Sequence, residues 1–211
     1  MTPTAPAILL CAPVSFPDKD QLNDLPGTAD EVKAISGLFQ TKNFKNASYV
    51  NHDASEQLIK SDQIANYNLL HFATHGVVDE NNPELSRVFL QSSSESEDGN
   101  LYSGEIYNLK LKANLVTLSA CQTGLGKISK GEGVVGLSRA LAYAGAKNIV
   151  VSFWSVSDAS TAALMTDFYS HLLNGSGRDY SRNLRQAKLD LIQKGDYSTP
   201  FYWAPFVLIG F

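Results

Sequence analysis

Two apolar runs constrain this chain most: Leu69-Leu-His-Phe-Ala-Thr-His-Gly76 and Leu115-Val-Thr-Leu-Ser-Ala-Cys-Gln-Thr-Gly124. Each is apolar enough to lie in the middle of a sheet buried on both faces. Each then ends in a chemically competent side chain beside small, turn-forming residues. In a parallel sheet, that is how a core strand carries a functional group to the carboxyl edge, where α/β folds hold their ligands. One run would deliver His75 and the other Cys121.

The rest of the chain supplies the context for a parallel sheet. Ala7–Val14 reads as a buried first strand, closed by Pro13 and Pro17. A helix follows, with Thr28 as its expected N-cap, Glu31 three residues later, and Val32, Ile35, Leu38 and Phe39 as its apolar face. Ser48–His52 reads as a short strand and Ala54–Tyr67 as a weaker helix, while Ser86–Gln91 looks like a small strand beyond the polar turn at Asp79–Glu84. Ser92–Asn100 has the composition of a surface loop, and Leu101–Ala113 holds a short strand or helix. Gly131–Ala146 is a strong amphipathic helix, Asn148–Trp154 the fifth core strand, Ala159–Leu173 and Tyr180–Gln193 two further helices, and Trp203–Phe211 a terminal strand. Strands alternating with helices predict an α/β fold: a mostly parallel sheet of about six strands with helices on both faces, in a single domain over residues 1–211.

Composition narrows the function. Seventeen Lys and Arg against twenty-one Asp and Glu leave no basic excess to hold a phosphate backbone, so no direct nucleic-acid partner is expected. No apolar run reaches membrane-spanning length, and Met1–Ala7 lacks the basic start of a secretory signal, so a cytoplasmic protein without membrane contact is expected. Two cysteines, Cys11 and Cys121, do not make a disulfide framework and suit a reducing compartment. Cys11, inside the first strand, reads as inert core.

A thiol near neutral pH needs a neighbour that favours the thiolate, and an imidazole provides it as ion-pair partner or general base. Where the chain leaves the sheet, backbone N–H groups become free, which makes the amides of Gly76 and Cys121 candidate oxyanion donors. Taken singly, Cys121 fits an inert core cysteine and His75 a structural histidine. Their shared placement at strand ends is what favours a catalytic pair. Gly131-Glu-Gly-Val-Val-Gly136 matches a dinucleotide fingerprint. That motif must follow its strand at once, however, and Thr123–Lys130 intervenes, so no nucleotide is expected. His71 lies on the same strand face as His75, but no third metal ligand accompanies it, and a hydrogen-bonded core histidine is the plainer reading. Neither metal nor organic cofactor is required by this chemistry.

His71-Phe-Ala-Thr-His-Gly76, Leu118-Ser-Ala-Cys-Gln-Thr-Gly-Leu-Gly126, Gly131-Glu-Gly-Val134, Phe153-Trp-Ser-Val-Ser-Asp158 and Tyr202-Trp-Ala-Pro-Phe-Val-Leu-Ile-Gly210 occur in an order that resembles the CHAT domain, a branch of the caspase- and separase-like cysteine peptidases. The likeness runs from about Leu25 to Phe211. Forty-six residues separate His75 from Cys121, close to the roughly 50 between histidine and cysteine in caspases. The residues around the cysteine differ from the caspase signature, so aspartate specificity does not carry over.

The resemblance implies a caspase-like fold and a cysteine endopeptidase in which Cys121 attacks and His75 carries protons. It also implies a peptide paired as an extra strand beside Trp154, Ser155, Val156 and Ser157. By the same resemblance Asp158 could form the floor of a pocket for a P1 Arg or Lys; capping the helix that begins at Ala159 explains it locally. The implied partners are a specific protein substrate in bacterial signalling or defence, with gasdermin-like pore-formers as one candidate class, and a separate activating or repeat-containing protein. The competing expectation is a non-catalytic interaction or scaffold module of the same fold.

Overall fold

The computed structural model describes residues 5–17, 22–79, 81–94, 96–119, 132–154, 156–175 and 179–210, with only the backbone of 132–135. Its centre is a six-stranded sheet. The strands are β1 (Ala7–Ala12), β2 (Lys45–Val50), β3 (Leu69–Phe72), β7 (Leu115–Leu118), β8 (Asn148–Ser152) and β9 (Phe206–Gly210), in the spatial order β2-β1-β3-β7-β8-β9. Every neighbouring pair is parallel except the last, where β9 runs antiparallel to β8. The carboxyl ends of β1, β3, β7 and β8 therefore share one edge.

Parallel strands need crossovers, and the crossovers build the two outer layers. On one face α1 (Pro26–Thr41), α5 (Asp158–Asn174) and α6 (Tyr180–Lys194) bury Val32, Ile35, Phe39, Leu164, Phe168, Leu184 and Leu191 against Ile8, Leu10, Leu69, Leu115 and Val150. On the other, α2 (Glu56–Lys60), α3 (Ser103–Ile106) and α4 (Glu132–Tyr143) bring Ile59, Ile106, Leu137 and Leu141 onto Leu9, Leu70, Val116 and Ile149. Successive strand residues thus feed opposite cores, as the two-residue repeat requires. The expected α/β sheet with helices on both faces is present. Cys11 is wholly buried, and burial pushes its thiol well above the ordinary range.

Beyond β3 the chain turns into a three-stranded antiparallel sheet of β4 (Gly76–Val77), β5 (Arg87–Phe89) and β6 (Asn100–Tyr102). Lys60 of α2 fastens the segments on either side of β6: its ammonium lies 2.6 Å from Glu56 in its own helix, 2.8 Å from Glu97 before β6 and 2.6 Å from Glu105 in α3. A short helix, α7 (Pro200–Trp203), precedes β9.

Several local expectations shift. The first helix is not capped by Thr28: it starts at Pro26, with proline at its tolerated first position, and Thr28 Oγ1 donates to the Leu25 carbonyl at 2.6 Å. Glu31, expected in a capping box, turns into the core. The expected Ala54–Tyr67 helix is α2 with Ser55 as N-cap, then a 3₁₀ turn over Asp62–Asn66, because too few apolar residues line a continuous stripe. Trp203 belongs to α7, and the terminal strand begins at Phe206.

Candidate active site

His75 sits three residues past Phe72, the last residue of β3, and Phe72 is in register with Leu118, the last residue of β7. Cys121 stands three residues past Leu118 in the sequence and lies, with Ser155 and the Thr123–Lys130 segment, outside the described residues. Ser119 extends the strand pairing, its N–H donating to the Phe72 carbonyl at 3.0 Å. Two parallel neighbours therefore end level at one edge, and in the sequence His75 and Cys121 follow at equal offsets from those ends.

The segment between β1 and α1 covers His75. Its ring lies 4.8 Å from the Phe16 ring, centroid to centroid, and its Nε2 lies 2.7 Å from the Asn23 carbonyl oxygen. A carbonyl can only accept, so the proton is on Nε2 and the Nδ1 lone pair is left for other work. Burial lowers the imidazole's proton affinity below its ordinary value, against the opposing pull of the Asn23 hydrogen bond and the charge of Asp158. A neutral ring with a fixed tautomer is the state a general base requires.

Gly76 follows directly. The Phe89 N–H donates to the His75 carbonyl at 2.9 Å, which marks residues 75 and 89 as a bonded pair and 76 and 88 as the next, unbonded pair. The Gly76 N–H accordingly points away from β5 and is not consumed by the ladder. Thr74 Oγ1 donates to the Phe89 carbonyl at 2.6 Å and fixes the turn that presents both residues.

Asp158 is not the helix cap. Ser157 takes that role, its hydroxyl accepting from the Ser160 N–H at 3.3 Å, and Asp158 is the first helical residue of α5. Its carboxylate accepts from the Gly27 N–H and lies close enough to His75 for the two charges to interact. Burial raises its proton affinity and the charge of Glu31 raises it further, while His75 and the Gly27 hydrogen bond act in the other direction. A Cβ on Gly27 would fall 2.6 Å from Asp158 Cβ, so the glycine is what lets α1 and α5 converge here. Of the remaining expected substrate-binding residues, Trp154 is half-buried and its indole N–H donates to the Phe201 carbonyl at 3.0 Å, while Val156 packs against the cluster under α1 and α5.

Beneath the site runs a buried polar chain. His71 Nε2 is 2.8 Å from Glu31 Oε1, His71 Nδ1 is 3.3 Å from the Tyr169 hydroxyl, and that hydroxyl is 3.0 Å from Thr117 Oγ1. All four residues are at most 1% exposed. The chain ties α1, β3, α5 and β7 together and consumes both ring nitrogens of His71, the core histidine expected. Among the described residues no group of three or more His, Cys, Asp or Glu could hold a metal ion, and no helix is long and apolar enough to cross a membrane. Sequence reasoning missed Phe16 and Asn23. A main-chain carbonyl carries no residue signature, and neither position falls on a strand or helix.

The fold has solved counterparts. The structure of the Arg-specific cysteine proteinase gingipain R matches 97% of this chain and 45% of its own length, with a TM-score of 0.65 at 12% identity. A complex of the Porphyromonas gingivalis RgpB pro- and mature domains matches 97% of this chain and 47% of its own, with a TM-score of 0.60 at 12% identity. At that identity the likeness establishes the caspase-like fold. Tetratricopeptide repeat protein 28 of mouse and of human are each 36% identical over 110 residues, 52% of this chain, which spans only 4% of their length. The CHAT domain model matches residues 3–211, and the chain belongs to the CHAT domain family.

Proposed function

We propose that this domain is a cysteine endopeptidase using Cys121 and His75. One observation carries the reading: His75 stands at a strand's carboxyl end with its tautomer fixed by Asn23, and the adjacent parallel strand leads to Cys121 at the same offset. The Cys121 thiol gives its proton to His75 Nδ1 and the thiolate attacks a peptide carbonyl. The tetrahedral oxyanion accepts hydrogen bonds from the Gly76 and Cys121 N–H groups. As the C–N bond breaks, the imidazolium returns its proton to the departing amine. Water, deprotonated by His75, then cleaves the thioester to release a carboxylic acid and the free thiol. No cofactor takes part.

Trp154 to Ser157 would hold the peptide as an added strand, with Asp158 meeting a P1 Arg or Lys. The removal of the capping explanation for Asp158 strengthens that assignment. The substrate is a specific protein in bacterial signalling or defence, a gasdermin-like pore-former being one candidate class, and the further partner is a separate activating or repeat-containing protein. Cytoplasmic location accompanies this role.

The test is covalent labelling by a P1 Arg peptide electrophile. Wild type labels, while Cys121→Ala does not, and His75→Ala labels at least about a hundredfold more slowly, the low end of what a positioned base contributes. Absence of Cys121-dependent labelling or cleavage, with native partners present, returns the domain to a non-catalytic scaffold. If Asp158→Ala leaves the preference among P1 Arg, Leu and Asp peptides unchanged, the pocket assignment falls.

A further inference from the structure

The sheet has a free edge at β9, far in sequence from the dyad. Phe153 N–H donates to the Pro205 carbonyl, and β8 and β9 continue from there in antiparallel register. Bonded and unbonded pairs alternate along such a ladder, so Phe206, Leu208 and Gly210 turn their main-chain groups away from β8. Lys188 confirms the direction: its ammonium donates to the outward Phe206 carbonyl at 2.6 Å. The outward groups of Leu208 find no partner among the described residues.

A groove of about 440 Å³ runs along this edge, between β9 and α6. Leu184, Leu189, Ile192, Trp203 and Leu208 give it an apolar floor. Two cations, Arg185 and the half-buried Lys188, enter it from α6, and no carboxylate of the described residues pairs with either. Burial lowers the proton affinity of Lys188, as expected of an ammonium without a counter-charge. An apolar channel, an open strand edge and two uncompensated cations are complementary to one kind of ligand.

We propose that the β9–α6 groove binds an extended segment of a partner protein that adds a strand to β9 and places acidic side chains, spaced by apolar ones, against Arg185 and Lys188. A second copy of this chain fits poorly. Two-fold pairing of β9 with β9 sets the same patch against itself and gathers Arg185 and Lys188 of both copies in one seam. Main-chain pairing supplies affinity in this mode and the side chains supply selection.

The experiment uses the full chain and a fluorescein-labelled peptide alternating Glu with Val, Leu and Ile, read by fluorescence anisotropy. Binding is expected, about tenfold or more weaker with Arg185→Glu and recovered on that variant when Lys replaces Glu in the peptide. N-methylation of alternate peptide amides, which blocks strand pairing and keeps every side chain, is expected to weaken binding to a similar degree. No binding, or binding indifferent to both changes, overturns the proposal. So does sedimentation showing a dimer that Arg185→Glu leaves intact and that excludes the peptide. Cys121 labelling of the Arg185→Glu variant stays at the wild-type rate, which keeps this result separate from the peptidase reading.

Discussion

His71 and His75 stand four residues apart on one stretch of chain, yet the fold gives them opposite surroundings. The first has Glu31 on one nitrogen and Tyr169 facing the other, in a site with no exposure. The second has Nε2 tied to a carbonyl, while its Nδ1 meets no hydrogen-bonding group among the described residues. Both are covered; what separates them is whether every polar atom is spoken for. A histidine with both nitrogens engaged holds elements together, and one with a single nitrogen engaged is oriented for use.

The largest expected effect tests that division directly. Glu31→Ala strands His71 Nε2 in a buried site and should lower unfolding free energy by about 2–3 kcal/mol, measured by urea denaturation. His75→Gln should change it by less than about 1 kcal/mol. Equal losses for the two would erase the distinction. Next in size is Gly27→Ala, whose new methyl group meets Asp158 Cβ and must push α1 and α5 apart. A cost of about 1–2 kcal/mol is expected, with slower Cys121 labelling, because Asn23 and Asp158 both lie on the displaced segments. Unchanged stability and labelling would mean that the two helices yield there without consequence.

The smallest effect concerns pH. Asp158 binds its proton more tightly folded than unfolded, so its contribution to stability is full below the ordinary carboxyl value. That contribution is lost as pH rises through the raised one. Asp158→Asn should therefore raise neutral-pH stability by a few tenths of a kcal/mol, discounted for partial exposure, with the gain vanishing near pH 3. Removing that negative charge should also lower the His75 titration midpoint, followed by NMR of the ring protons. His75 works in the opposite sense. Neutral when folded, it leaves stability unaffected above its ordinary value near 6.5, and stability falls as the pH drops from there towards its lowered one. A His75 midpoint indifferent to Asp158→Asn would show that the two groups do not share a field.

Much of this arrangement is legible in the sequence, for identifiable reasons. The buried strands announce themselves because parallel strands covered on both faces are apolar throughout, as Leu69–Phe72 and Leu115–Leu118 are. The antiparallel direction of β9 is not written in Phe206–Gly210, since an apolar run reads alike either way. The capping readings of Glu31 and Asp158 fail for a different reason. Local capping rules fit both residues, and tertiary partners distant in the sequence, His71 for one and Gly27 for the other, outweigh a cap worth about 1 kcal/mol. The site's main-chain contributions, Asn23 above all, come from atoms that every residue carries.

The burial of Cys11 has a practical consequence. A native chain with two cysteines withholds one of them from any thiol reagent, because a protonated, enclosed sulfur has neither nucleophilicity nor access. Intact mass after alkylation should thus rise by at most one adduct while the fold holds and by two once it is lost. That gives a built-in counter that reports on Cys121 and on folding in the same spectrum.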